Sequence, residues 1–136
     1  MTFTTKIAIV VAEDLATWQK LNVVAFLTSG IISQTENIMG EPYVDGSGQT
    51  YNPLCIQPIV VLKAKRAKLP TFLARAERRG AKSAIYIEDM FHTGHDAANR
   101  ATVIEYATAD LPLVGIAIRA ARKEVDKIFK GAKLHE

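Results

Sequence analysis

The chain has 136 residues, 49% hydrophobic and 23% charged, a balance that suits one folded domain and excludes a disordered chain. The formal net charge of +3 is unevenly spread. Residues 1–62 sum to −3, residues 63–136 to +6, and eight bases lie between Lys63 and Lys82 against the single acid Glu77.

The lone Cys55 excludes an internal disulfide and suits a reducing compartment. The start, Met-Thr-Phe-Thr-Thr-Lys, lacks the features of a signal peptide. The longest apolar stretch, Leu21 to Ile32, is too short and too interrupted for a bilayer. A cytoplasmic single domain over residues 1–136, with no membrane contact, is therefore expected.

Lys6-Ile-Ala-Ile-Val-Val-Ala12 is a continuous β-branched run and predicts a strand covered on both faces. A helix follows from about Thr17 to Ser29, capped by Thr17 or Asp14. Leu21, Val24, Ala25 and Leu27 leave it little polar face, so it should be largely buried. Periodicity is lost from Gly30 to Pro53, where Asp45-Gly-Ser-Gly48 marks a turn between Tyr43-Val44 and Thr50-Tyr51. This irregular stretch is a candidate lid or partner surface.

Ile56 to Leu62, with Pro58 near its start, predicts a second strand that is an edge or begins at the proline. Leu69, Phe72, Leu73 and Ala76 then share one helix face, with Pro70 in the first turn and Gly80 past the end. Ser83 to Ile87 is a third strand, followed by the polar loop Glu88 to Asp96, with Asp96 capping a helix through roughly Ala107. Leu113 to Ile118 is a fourth strand. Ala121, Val125, Ile128 and Phe129 belong to a last helix closed by Gly131. Strands alternating with helices predict an α/β fold, a three-layer α/β/α sandwich around a four-stranded, mostly parallel or mixed sheet.

Ligands of open α/β sheets collect beyond the carboxyl ends of the strands. The loop after the third strand holds the densest polar cluster: Glu88, Asp89, His92, Thr93, His95, Asp96 and, a turn later, Asn99. It can be a helix start whose side chains satisfy loose backbone groups, an acid–base or oxyanion site, or a metal site built on His92-x-x-His95. No second ligand motif completes a metal set, and no metal or other cofactor is expected.

Lys20 lies early in its helix, where the dipole disfavours a cation and a capping box wants Glu or Gln. It is either solvated or paired with an anion, and the carboxylates after the third strand are candidates. Asn22, on an apolar helix, needs a partner if buried. Nothing near Cys55 in sequence would lower its thiol pKa, so it is read as inert. The eight bases Lys63, Lys65, Arg66, Lys68, Arg75, Arg78, Arg79 and Lys82 are either a solvated face or a contact for RNA phosphates. No aromatic residues alternate with them as single-strand binding would want.

The chain resembles type II peptidyl-tRNA hydrolases and, more closely, a bacterial family of uncharacterised domains related to that fold. The resemblance spans nearly the whole chain and rests on Leu15 to Phe26, Val60-Val-Leu-Lys63, Asp89 to Asp96, the Leu113 to Ile118 strand and Val125-Asp-Lys127. It implies a catalytic trio of Lys20, Asp89 and Thr93, and a homodimer by analogy. In place of the hydrolases' small residues this chain carries Leu21-Asn-Val-Val-Ala25 and Met90-Phe91, and Met90 and Phe91 could close the approach to a tRNA end. Two functions follow. One is a small-ligand-binding or regulatory cleft between the first helix and the loop after the third strand, using Asn22, His92, His95, Asp96 and Asn99. The other is a diverged hydrolase of an ester bond such as that of peptidyl-tRNA.

Overall fold

The computed structural model describes residues 3–136, and Met1 and Thr2 lie outside the described residues. Strand β1 (Thr5–Ala12) is fully enclosed from Ile7 to Ala12, as its unbroken apolar run demands. Helix α1 (Thr17–Ser33) follows, then the exposed hairpin β2 (Tyr43–Val44) and β3 (Thr50–Tyr51) around the predicted turn. Strand β4 (Ile59–Ala64) starts just after Pro58. Helix α2 (Leu69–Arg78), strand β5 (Ser83–Ile87), helix α3 (Asp96–Val103), strand β6 (Leu113–Ala121), helix α4 (Arg122–Ile128) and a short strand β7 (Lys133–Leu134) complete the order.

The sheet has five strands in the order β5-β6-β1-β4-β7, one more than expected. The extra strand, β7, pairs only Leu62↔Leu134 and Lys63↔Lys133, too short to leave a pattern in the sequence. β1 and β4 pair in parallel, as a helical crossover requires, while β6 runs antiparallel to both β1 and β5. Thus β1, β4 and β5 share one direction and β6 and β7 the other. β6 reverses because the excursion through α3 returns to the end it left, with Leu113 beside Ile87.

α2 and α4 pack together on one face of the sheet. α2 turns the predicted Leu69, Phe72, Leu73 and Ala76 into the core, and Phe72 meets Phe129 edge-on at 5.5 Å. Gly80, at φ +72°, ends the helix in the left-handed region as read from the sequence. Arg75 donates to the carbonyls of Ile128 (3.1 Å) and Lys130 (2.8 Å), tying α2 to the C-terminal end of α4.

α1 covers the opposite face and reaches it through Val23, Leu27 and Ile31. β6 is smooth there: a Cβ on Gly115 would lie 3.1 Å from Leu27 Cδ1 and closer still to Val23 Cγ1. Only glycine lets the helix settle this low. Contrary to the expectation of a largely buried helix, Trp18 (60%), Leu21 (67%) and Phe26 (56%) remain exposed. Sheet contact takes one residue per turn, and no layer covers the far side of α1 among the described residues. Its N-cap is Ala16, where Thr17 or Asp14 was expected; the Ala16 amide donates to Gln19 Oε1 at 3.0 Å. Gln19 thus fills the capping-box position, and Lys20 falls one place later.

Candidate functional site

A groove runs between α1, the edge strand β5 and α3. Its larger part, about 510 Å³, is lined by Phe26, Gly30, Ala84, Tyr86, Met90 and Val103 among others. A second depression of about 330 Å³ continues it past Trp18, Asn22, Phe91, Thr93 and His95. The two share Phe26, Tyr86, Met90, Asp96 and Asn99, so they form one continuous surface. Strand alternation produces this floor: Ala84 and Tyr86 face α1, in register with Ala117 and Gly115 of β6.

Four aromatic rings follow the groove in succession. Trp18 meets Phe91 at 5.9 Å, Phe91 meets Tyr86 at 5.3 Å, and Tyr86 meets Phe26 at 6.0 Å. Tilted and edge-on contacts of this length suit ring quadrupoles and stiffen the wall. Burial pushes the Tyr86 phenol above the usual tyrosine range.

Part of the predicted polar set gathers at the end of the groove near Trp18. Thr93 donates to the Met90 carbonyl at 3.0 Å and its hydroxyl also meets Asn99 Oδ1. His95 is the N-cap of α3, where Asp96 was expected: its Nδ1 accepts from the Ala98 amide at 3.2 Å. Asp96 pairs instead with Arg100, one turn on. The helix also stops at Val103, short of Ala107. Asn22 is exposed and lines the groove, whereas His92 is exposed with no hydrogen bond among the described residues. No group of three or more His, Cys, Asp or Glu is placed to hold a metal among the described residues.

The predicted trio is not joined by direct contacts. Asp89 Oδ2 accepts from Tyr106 Oη at 2.8 Å and from Thr102 Oγ1 at 3.2 Å. The bond that Tyr106 donates to Asp89 holds the proton on the phenol and raises its pKa, with smaller help from desolvation. Lys20 Nζ contacts His135 Nε2 at 3.2 Å. Sequence reasoning missed Thr102, Tyr106 and His135. The first two stand four residues apart, a spacing that puts side chains on one side of a helical turn, whereas His135 carries no local signal.

Charges beyond the strand ends mostly neutralise one another. Arg66 bridges Asp14 (3.3 Å) and Glu88 (2.6 Å), joining the segments after β1, β4 and β5. Of the eight bases from Lys63 to Lys82, Lys63, Arg66 and Arg79 pair with acids, and Arg75 is spent on carbonyls. Cys55 Sγ donates to the Gln57 carbonyl at 3.3 Å. None of residues 34–58 lines the groove, so the 30–53 stretch does not cover it as a lid.

A mixed α/β domain with an aromatic groove and no helix long and apolar enough to cross a membrane among the described residues is the class these features define. Residues 5–136 match the family described as protein of unknown function DUF2000, and the chain belongs to that family. A solved structure, the protein of unknown function Atu0240 from Agrobacterium tumefaciens strain C58, is 54% identical. It superposes with a TM-score of 0.97 over 99% of this chain and 100% of that one. No curated protein matches the chain.

Proposed function

We propose that the groove binds a small, mainly apolar, flat molecule carrying one or two hydrogen-bonding groups. The observation that supports this is the run of four rings, Trp18, Phe91, Tyr86 and Phe26, along a concave surface that is mostly apolar beside Phe26 and Tyr86 and more polar towards Trp18. Pockets of this size with a few polar groups at one end are the usual form of small-molecule sites. Asn22, His95, Asp96 and Asn99 would supply the polar contacts, with Thr93 fixing Asn99.

The relation to type II peptidyl-tRNA hydrolases belongs to this reading as a likeness of fold and motif. Ester hydrolysis is the lesser alternative, because Lys20 and Asp89 have other partners and half of the bases an RNA would need are already engaged. RNA binding rests on the base-rich segment from Lys63 to Lys82, and a homodimer on analogy with the hydrolases.

Trp18 is the single tryptophan and reports on the groove directly. Titration with an anilinonaphthalene dye should change its emission saturably. Phe26→Ser, at a half-exposed wall position, should weaken the dye about tenfold, equivalent to about 1.4 kcal/mol. A dye that leaves Trp18 unaffected, or binds Phe26→Ser as tightly, refutes the reading. Release of tRNA from an N-blocked aminoacyl-tRNA, lost in Asp89→Ala, would favour the hydrolase instead.

A further inference from the structure

The first turn of α1 is electropositive and has no acid of its own. Its leading amides lack helical acceptors, the first turn contains no Asp or Glu, and Lys20 adds an ammonium where the helix dipole disfavours one. Lys63, the penultimate residue of β4, brings a second ammonium to the same end of the sheet. It lies in register with Val11 and, through it, Gly115, the residue whose open face receives α1. Lys63 therefore projects to the α1 side.

His135 and Glu136 meet these two lysines. The His135 amide donates to the Val61 carbonyl at 3.0 Å, which lays the tail along β4. His135 Nε2 then meets Lys20 Nζ at 3.2 Å, and Glu136 Oε2 meets Lys63 Nζ at 2.5 Å. Because the two partners are consecutive residues, both ammonium groups converge on one dipeptide. Lys63 holds the Glu136 carboxyl below the usual range.

We propose that Lys20 and Lys63 form a binding site for a small dicarboxylate, and that the Glu136 side chain occupies it in the free protein. Two features carry this. First, the two lysines are served unequally: the Glu136 side-chain carboxylate meets Lys63, while Lys20 meets the His135 imidazole, and a charged acceptor gives the shorter and stronger bond. A second carboxylate on the ligand would serve Lys20. Second, the occupant is loosely held. β7 has two residues, Leu134 is 71% exposed and the Glu136 side chain 74%, so a soluble anion can displace it. The site lies at the N-terminal end of α1 towards β4, apart from the aromatic groove beside β5, and stands independently of the function proposed for that groove.

The test is a titration of the full chain with succinate at low ionic strength, followed by amide NMR, with sodium chloride of equal ionic strength as the control. Wild type should bind weakly, Glu136→Gln at least fivefold more tightly, because the internal competitor has lost its charge. In the Glu136→Gln background, Lys63→Gln and Lys20→Gln should each weaken succinate tenfold or more, with the shifts centred on residues 17–20, 61–64 and 133–136. Inorganic phosphate in a parallel titration distinguishes the anion: tighter phosphate binding with the same lysine dependence overturns the dicarboxylate assignment. Equal binding by wild type and Glu136→Gln, or binding that survives both lysine substitutions, overturns the site.

Discussion

Gly115→Ala tests the contact that places α1, and with it one wall of the groove. The added methyl would lie 3.1 Å from Leu27 Cδ1, nearer to Val23 Cγ1, and 3.6 Å from the Val10 carbonyl oxygen. Carbon pairs settle at about 3.5–4.0 Å, so the helix must lift or Val23 must change rotamer, and a β-branched residue in a helix has essentially one. Overpacking of this kind costs about 1–3 kcal/mol, offset by roughly 0.5–1 kcal/mol from replacing a strand glycine. A net loss of about 1–2 kcal/mol is expected, read as a lower urea midpoint with an unchanged m-value. Val23→Ala alone should cost about 2 kcal/mol as a cavity, since Val23 is fully buried. Combined with Gly115→Ala it makes room for the new methyl, so the double variant should be more stable than the sum of the singles by about 1 kcal/mol or more. Wild-type stability for Gly115→Ala, or strict additivity in the double variant, would refute the packing of α1 on β6.

Two further expectations concern polar ties. The Tyr106 phenol, its proton held by Asp89, titrates above the ordinary tyrosine value of about 10. A raised folded pKa gives stability that is complete below the unfolded value and is lost as pH climbs through the folded one. Asp89→Asn should therefore move one tyrosinate transition to lower pH, assigned by its absence in Tyr106→Phe; an unmoved transition would show that Asp89 is not its cause. Arg75 spans two carbonyls at the end of α4 and lies over the Phe72 ring at 5.7 Å. Arg75→Ala should cost about 1.5–3 kcal/mol in urea unfolding, and Arg75→Lys should recover only part, because an ammonium cannot reproduce the fork. An unchanged midpoint in Arg75→Ala would remove this tie from the account.

Much of the fold is legible because apolar residues recur at the right period. Ser83–Ile87 matches its predicted bounds, and the four α2 residues chosen by spacing are the four it buries. What escaped depends on contacts between distant residues. The direction of β6 is set by where its connection returns, β7 by a two-residue pairing, and the exposed side of α1 by the lack of a covering layer. Local composition contains none of these. The site divides the same way. Thr93, Asn99 and His95 were found as a cluster because they are neighbours in the chain. The partners of Lys20 and Asp89 were not, since His135 lies 115 residues from Lys20, and Thr102 and Tyr106 stand at the last turn of α3 and just past it.

The place of β6 has a consequence for how the molecule is made. β5 has no sheet neighbour except β6, yet it leaves the ribosome first, and Ile87 must wait for Leu113 before any ladder can form. β1 and β4 can pair well before that, as α1 crosses over them. The aromatic groove, whose floor is β5, is thus among the last surfaces to assemble during synthesis, and a nascent chain halted before residue 113 exposes Tyr86 and Ile87 on an unpaired edge. Chaperone demand and aggregation should concentrate in that interval of translation.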